Sequence, residues 1–122
     1  MNRVIIYLCC TMLLLNIACR KNEHRLLTCL VHPQDETSEI PVTVTYYVAL
    51  SGTGHITSIS YAAANGQQAV TNAGNNWSVK ITIPPNQPIS ITVEGDVEGG
   101  KITAGYGYVE NGNTVQMFDT CS

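Results

Sequence analysis

The stretch Pro41–Ser51, which reads PVTVTYYVALS, decides the fold class of this chain. Apolar and polar side chains alternate along it with a period of two, which is the pattern of a β-strand that buries one face. One set of side chains is therefore predicted to face a core and the other to face outward. The predicted inward set is Val42, Val44, Tyr46, Val48 and Leu50, and the predicted outward set is Thr43, Thr45, Tyr47 and Ala49.

Shorter stretches on both sides of this strand repeat the alternation. Strands are predicted over residues 26–32, 41–51, 55–63, 67–71, 77–83, 89–94, 101–109 and 114–121. Gly- and Asn-rich turns are predicted between them, among them Gly52-Thr53-Gly54, Asn65-Gly66, Glu98-Gly99-Gly100 and Asn111-Gly112. No stretch shows a helical period. This pattern predicts an all-β, immunoglobulin-like β-sandwich of seven or eight strands over residues 26–122.

The composition limits the partners that such a domain could have. The chain has 122 residues and a formal net charge of -3, a size that allows one domain. Lysine and arginine are scattered, whereas nucleic-acid binding relies on a basic patch. We therefore expect no nucleic-acid partner.

The N-terminus reads as a targeting segment. Arg3 precedes the uncharged, mostly apolar stretch 4–17, which is too short to span a bilayer comfortably. Ala18 then stands directly before Cys19, an arrangement that resembles a lipoprotein signal. It predicts a signal peptide over 1–18, acylation of Cys19 with palmitate-type chains, and a polar tether over 19–25. The alternatives are an ordinary cleaved signal or an uncleaved anchor.

An acylated Cys19 would make the membrane the first partner of this chain, because two or three acyl chains hold a protein durably. Arg20, rather than Asp, follows the cysteine. By resemblance to envelope lipoproteins, this predicts a lipid-anchored protein of the cell envelope at the outer membrane, on its periplasmic or its surface face.

The cysteine count leaves one candidate pair in the domain. Cys9 and Cys10 would leave with the signal and Cys19 would be acylated, so Cys29 and Cys121 remain. An exported compartment permits disulfides, and a bond between them would close a loop of about 90 residues. The alternative is two buried free thiols. No metal site is expected, because no histidine or third cysteine stands at ligand spacing.

Several motifs together resemble the MmpS family of small membrane-anchored envelope proteins. They are TYYV at 45–48, ITSISY at 56–61, NWS at 76–78 and the strand before Asn111-Gly112, over about residues 42–121. The whole chain resembles a lipoprotein of Bacteroidota type with an MmpS-like domain. The resemblance implies a β-sandwich and an accessory role beside RND-type exporters. The chain departs from the family pattern in its lipoprotein signal, in Asn76 before the tryptophan, and in having no cysteine in the penultimate strand.

Three aromatic residues are the candidates for a binding surface. Tyr106 and Tyr108 share one face of a strand and are flanked by glycines, so the pair could stack on a sugar or a lipid. Trp77, the only tryptophan, opens another strand. The favoured alternative is that all three pack in the core, Trp77 because it opens an alternating strand, and the two tyrosines because the glycines would relieve crowding beneath large core rings.

Acidic residues and histidines of the chain are candidates for a metal site or for the protein surface. Glu94, Asp96 and Glu98 alternate and could offer oxygens to Ca²⁺, but an acidic turn that keeps a sheet edge soluble is the favoured interpretation. His24, His32 and His55 are predicted to be surface residues.

The sequence supports two functions. The first is a non-catalytic accessory or interaction module that docks on a transporter or on another envelope protein. The second is a surface module for a glycan or lipid, whose binding surface would include polar amides: Gln67, Gln68, Asn72, Asn75 and Asn76. No motif of catalysis, phosphate binding or cofactor binding stands in the chain, so neither an enzyme nor a cofactor is expected.

Overall fold

The computed structural model describes residues 26–122, and this part of the chain is all-β, as predicted. The strands are β1 (Leu27–Val31), β2 (Glu36–Thr37), β3 (Val42–Ala63), β4 (Gly66–Val70), β5 (Asn76–Ile83), β6 (Pro88–Ile89), β7 (Ile91–Glu110) and β8 (Asn113–Cys121). Within residues 26–122 there is no helix with the length and apolar character to cross a bilayer. The predicted signal 1–18, the lipidation of Cys19, the tether 19–25 and His24 lie outside the described residues.

Two long strands, β3 and β7, pair antiparallel along most of their length and organise the domain. Residues 42–51 of β3 and 101–110 of β7 lie between β5 and β8, and we call this four-stranded part the front half. Residues 53–63 of β3 and 91–98 of β7 lie between β4 and β1, and we call this part the back half. The inward side chains of the two halves form one core, as in a β-sandwich.

The glycine segments at 52–54 and 98–100 bend the chain, and the prediction that they reverse it is wrong. Both segments lie inside β3 and β7, where the two strands bend together and their register shifts. Gly52 has a φ of 76°, and a Cβ atom on Gly100 would lie 2.5 Å from the Thr53 carbonyl oxygen. Only glycine tolerates these conditions, and the outcome is a β-bulge at a corner. The predicted strands 41–51 and 55–63 are therefore one strand, and 101–109 continues the strand that holds 91–94.

The alternation that predicted the fold also defines the core. All five predicted inward residues of β3 are buried, and the outward ones are exposed or half-buried. β7 contributes another buried set: Ile91, Val93, Val97, Ile102 and Ala104. Each fully buried aliphatic side chain stabilises a domain by about 1.5–3 kcal/mol relative to its exposed form, so this core is the main source of stability.

Two predicted hairpins are confirmed. Asn111 and Gly112 connect β7 to β8, and their φ values of 51° and 80° are both positive, as a type I′ turn requires. The second hairpin connects β3 to β4, but its turn is Ala64-Asn65 rather than the predicted Asn65-Gly66, because Gly66, with a φ of 108°, already pairs with Ala63.

A small second sheet closes one end of the domain. β2 lies in the polar and acidic stretch 34–40, which the sequence predicts as a loop between two strands, and it pairs with β6. The Tyr106 hydroxyl donates a hydrogen bond to the Gln34 carbonyl oxygen, and the Asn86 N–H donates to the Ser38 carbonyl oxygen over 2.7 Å. These bonds hold the segment between β1 and β3 against the core.

The predicted disulfide between Cys29 and Cys121 is present. Cys29 in β1 is in register with Gly95, and Cys121 in β8 is in register with Ile102, so both cysteines flank the same side of β7. The bond therefore joins the back half to the front half across the corner of β7.

Candidate functional site

Tyr106 and Tyr108 lie in the core rather than on a surface. Tyr106 is fully buried and Tyr108 is 5% exposed, and their rings are stacked with centroids 6.4 Å apart. The even-numbered residues of this part of β7 face inward, so the two rings share the face of Ile102 and Ala104. This corrects the expectation that the two tyrosines form an exposed binding surface, and it supports the alternative that they pack in the core.

Trp77 is half-buried and packs against the core from β5. Its ring centroid lies 5.3 Å from that of Tyr61, which lies 5.3 Å from that of Tyr46. Tyr46 in turn meets the edge of Tyr106 at 6.0 Å. The three predicted aromatic residues thus belong to one row of rings through the core, whose contacts stabilise the domain.

The outward surface of the front half, which we call the front face, carries a groove of about 700 Å³. Thr45 is in register with Lys80 of β5 and Gly107 of β7, and Gly107 is in register with Gln116 of β8. Because Gly107 has no side chain, the sheet backbone is exposed at the floor of the groove. Hydroxyl, amide and ammonium groups surround this floor, so the groove can donate and accept hydrogen bonds. Lys80 is the one charged residue among the described residues that line it.

Tyr47 forms a wall of the groove, and its ring lies over Gly105. A Cβ atom on Gly105 would come within 2.6 Å of the Tyr47 Cζ atom, so the ring fills the space that a side chain would need. Gly105 is buried although it faces outward, because the ring covers it. Tyr47 is half-buried in this position, and the ring surface turned away from the sheet is left for a ligand or partner.

Phe118 and Val109 are exposed large apolar side chains on the front face, at 67% and 59%. Phe118 is in register with Gly105, and therefore extends the row that begins at Tyr47. Val109 lines the groove. Phe118 and Val109 were not predicted as site residues, although the alternation in β8 indicates an outward Phe118, since Val115 and Met117 occupy the inward positions. Exposed apolar side chains thus lie at two separate points beside a polar groove on one face.

The predicted amide-rich surface does not coincide with this groove. All five amide residues are exposed, in β4, in the loop after it and at the start of β5, but none lines the groove.

The acidic residues Glu94, Asp96 and Glu98 face outward from β7 in the back half. β1 and β3 flank Glu94 and Asp96, so these two lie in the middle of a sheet rather than at an edge. Asp96 Oδ2 lies 3.9 Å from Nδ1 of the exposed His55. Within residues 26–122 no three His, Cys, Asp or Glu side chains are grouped closely enough to hold a metal ion.

His32 is an exposed residue, as predicted, and it makes several polar contacts at one end of the domain. Its Nδ1 atom lies 2.8 Å from Thr92 Oγ1, and its Nε2 atom lies 3.1 Å from the Asp35 carboxylate. Its backbone N–H donates to Asp119 Oδ2 over 3.2 Å. These contacts connect the end of β1 with β7, with β8 and with the segment before β2.

Burial governs the ionisation of the core tyrosines. Burial raises the pKa of Tyr46 to about 12 and raises the pKa of Tyr106 still further, with a contribution from the Glu36 charge. Burial also raises the pKa of Tyr108, and the charges of Glu36 and Glu110 add to the effect. Tyr108 also lines the groove, so the phenol there stays neutral at physiological pH.

No known family model matches the chain, and searches of curated proteins and of solved structures return no relative. The resemblance to the MmpS family therefore stays a prediction from the residues.

Two glycines of the site allow a matched test of this geometry. We expect Gly105→Ala to lower the free energy of unfolding by about 1–3 kcal/mol, because the new methyl group would overlap the Tyr47 ring and the Met117 carbonyl oxygen. Gly107→Ala is the control, since the nearest atoms to its Cβ are 3.5 Å away, and its effect should stay within about 0.5 kcal/mol. Urea unfolding followed by Trp77 fluorescence measures both. Equal losses would contradict the position assigned to the Tyr47 ring.

Proposed function

We propose that this protein is a lipid-anchored, non-catalytic interaction module of the cell envelope that serves as an accessory to an RND-type exporter or another envelope protein. Cys19 would carry the anchor at the outer membrane. The front face would make the contact with the partner.

The observation that carries the proposal is the pair of exposed apolar side chains beside the groove. Phe118 and Val109 expose most of their side chains on a face that is otherwise rich in threonine and has one lysine in its groove. Aromatic side chains next to a concave surface are the usual anchors of protein interfaces. The groove itself, among its described lining residues, holds no carboxylate, histidine or cysteine that could act as an acid, base or nucleophile.

Site-specific photo-crosslinking in the intact envelope tests the proposal. We expect a benzophenone amino acid at position 118 of the full-length protein to crosslink to an envelope protein such as an RND-type exporter. The same group at Glu94, exposed on the outward surface of the back half, should give no such product. Crosslinking at 94 but not at 118, or at neither position, would contradict docking through the front face.

A substitution in β8 gives the strength of the same contact. Phe118→Ser, in a chain without the benzophenone residue, should weaken co-purification of the partner identified by crosslinking at least about tenfold, because an aromatic anchor contributes about 2 kcal/mol or more to an interface. Thr120→Ser, the next outward position of the same strand, serves as the control and should leave recovery unchanged.

A second candidate function is a glycan- or lipid-binding module, and the Tyr47 ring favours it. A ring that lies on the sheet beside hydroxyl, amide and ammonium groups suits a sugar, which stacks its apolar face and bonds its hydroxyls. A glycan array and a lipid overlay, probed with the wild type and with Tyr47→Ala, separate the two candidates. Binding that depends on Tyr47 supports the second, and no binding, or binding equal in both proteins, counts against it.

A further inference from the structure

We infer that the outer edge of β1 lies on the surface of the phospholipid bilayer, and that Leu26, Leu27 and Leu30 touch the lipid headgroup region. This inference rests on the proposed lipid anchor at Cys19. It adds a second membrane contact, made by the folded domain itself, and with it a fixed orientation of the domain.

The leucines are the first reason. Leu26, Leu27 and Leu30 are 66%, 43% and 65% exposed, and with Val109 and Phe118 they make up the exposed large hydrophobic residues of the described chain. They lie within five consecutive positions at the start of the domain. β1 pairs with β7 on one side only, so it is an edge strand of the back half. Leu30 lies on the outward face of β1 and Leu27 on the opposite face with Cys29 and Val31, so exposed leucines flank the free edge on both sides. Exposed leucines at a free edge indicate a contact with an apolar surface.

The distance to the anchor is the second reason. Seven residue steps separate Cys19 from Leu26, and a fully extended chain of that length spans roughly 25 Å. An acylated Cys19 at the bilayer surface would therefore keep Leu26 within that distance of the lipid headgroups, and Leu27 and Leu30 follow it directly in β1. Among the described residues no other exposed apolar group lies so near the anchor in sequence.

Charge limits how deep the contact goes. Leu30 is in register with Glu94, and Thr28 with Asp96, so carboxylates stand beside the leucines on the outward surface of β7. These charges favour a shallow position at headgroup level, where water still solvates them. Arg20, Lys21 and Arg25 stand in the connecting segment and offer positive charge to anionic headgroups.

The chain offers a direct probe of this contact, because only four leucines follow Cys19: Leu26, Leu27, Leu30 and Leu50. The full acylated protein is placed in nanodiscs of phosphatidylethanolamine and phosphatidylglycerol that contain a headgroup spin label. We expect strong loss of the methyl signals of Leu26, Leu27 and Leu30. Leu50 is the buried control, and Val109 is an exposed control at the far end of β7; both should keep their signals.

Two variants test whether the leucine side chains themselves make the contact. In Leu26→Asn/Leu30→Asn, the signal of Leu27 should recover, whereas Val109→Asn should leave the three leucine signals broadened. Equal broadening of Val109 and Leu30 in the wild type would overturn the inference. The inference would also be overturned if the leucine signals stay unbroadened because the leucines contact residues 20–25 or a second copy of the chain.

The anchor is tested separately on the same sample. Labelling with a palmitate analogue should occur on Cys19 and disappear in Cys19→Ala. Labelled Cys19 with unbroadened leucines overturns the β1 contact alone. Absence of label on Cys19 overturns the proposed anchor and the inference that rests on it.

Discussion

Replacing Cys29 and Cys121 together by alanine is expected to lower the free energy of unfolding by about 4–5 kcal/mol, the loss that the chain-entropy model assigns to a loop of this length. The two cysteines are 92 positions apart, so the bond restricts nearly the whole domain in the unfolded state. In the native state it fixes β1 beside β8 where β7 bends. A small domain has a stability of only about 5–15 kcal/mol, so this loss is a large fraction of the total.

Urea unfolding followed by Trp77 fluorescence measures the effect. Wild-type protein treated with a reductant is the matched control, and it should unfold at the same urea concentration as the double variant. A double variant as stable as the oxidised wild type would contradict the prediction. Two alkylatable thiols in the native protein would show that the cysteines are not bonded.

The cysteine pair illustrates how far sequence reasoning reaches in this chain. Counting cysteines was sufficient to predict the bond, since only Cys29 and Cys121 remain in the domain. Counting could not predict that the bond crosses a corner, because the corner itself was read as two turns. Gly52 and Gly100 look the same in a turn and in a bulge. The choice between them is made by the pairing of β3 with β7, whose partners lie far apart in the sequence.

The same limit applies to the candidate site. Alternation predicted that Tyr106 and Tyr108 share a face, but it could not say which face of β7 meets the core, because glycine occupies both positions between and before them. The outward position of Tyr47 was predicted correctly from its place beside Thr43 and Thr45. Its role was missed, since only the register with Gly105 shows that the ring lies down on the sheet.

Alkaline pH is expected to destabilise the domain through the buried tyrosines of the aromatic row. Burial raises the folded-state pKa of Tyr46 to about 12, whereas a tyrosine in the unfolded chain ionises with a pKa near 10. The pKa of Tyr106 is raised for the same reason, with the Glu36 charge adding to it. Both hydroxyls donate hydrogen bonds to carbonyl oxygens, Tyr46 to that of Ala62 over 2.8 Å and Tyr106 within the small end segment.

The direction of this pH effect follows from the linkage between tyrosine protonation and folding. A group whose pKa is higher in the folded state holds its proton more tightly there, so its contribution is complete below pH 10 and is lost as the pH rises toward the folded pKa. For Tyr46 alone, the difference between a folded-state pKa of about 12 and an unfolded-state pKa near 10 corresponds to about 3 kcal/mol of folding free energy. We therefore expect the free energy of unfolding to fall steeply between about pH 10 and 12. The tyrosinate absorbance of Tyr46 and Tyr106, measured as the difference between the wild type and Tyr46→Phe/Tyr106→Phe, should appear together with unfolding.

The variant Tyr46→Phe/Tyr106→Phe isolates this contribution from every other group that titrates at high pH. At pH 8 it should be less stable than the wild type by about 1–3 kcal/mol, because the buried Ala62 carbonyl oxygen and the partly buried Gln34 carbonyl oxygen lose their donors. As the pH rises toward 12 the difference should shrink or reverse, since phenylalanine has no proton to lose. Tyr47→Phe, which removes a phenol from the front face, controls for the number of tyrosines. A constant difference between wild type and double variant across this range would show that ionisation of the two buried phenols does not limit the stability of the domain.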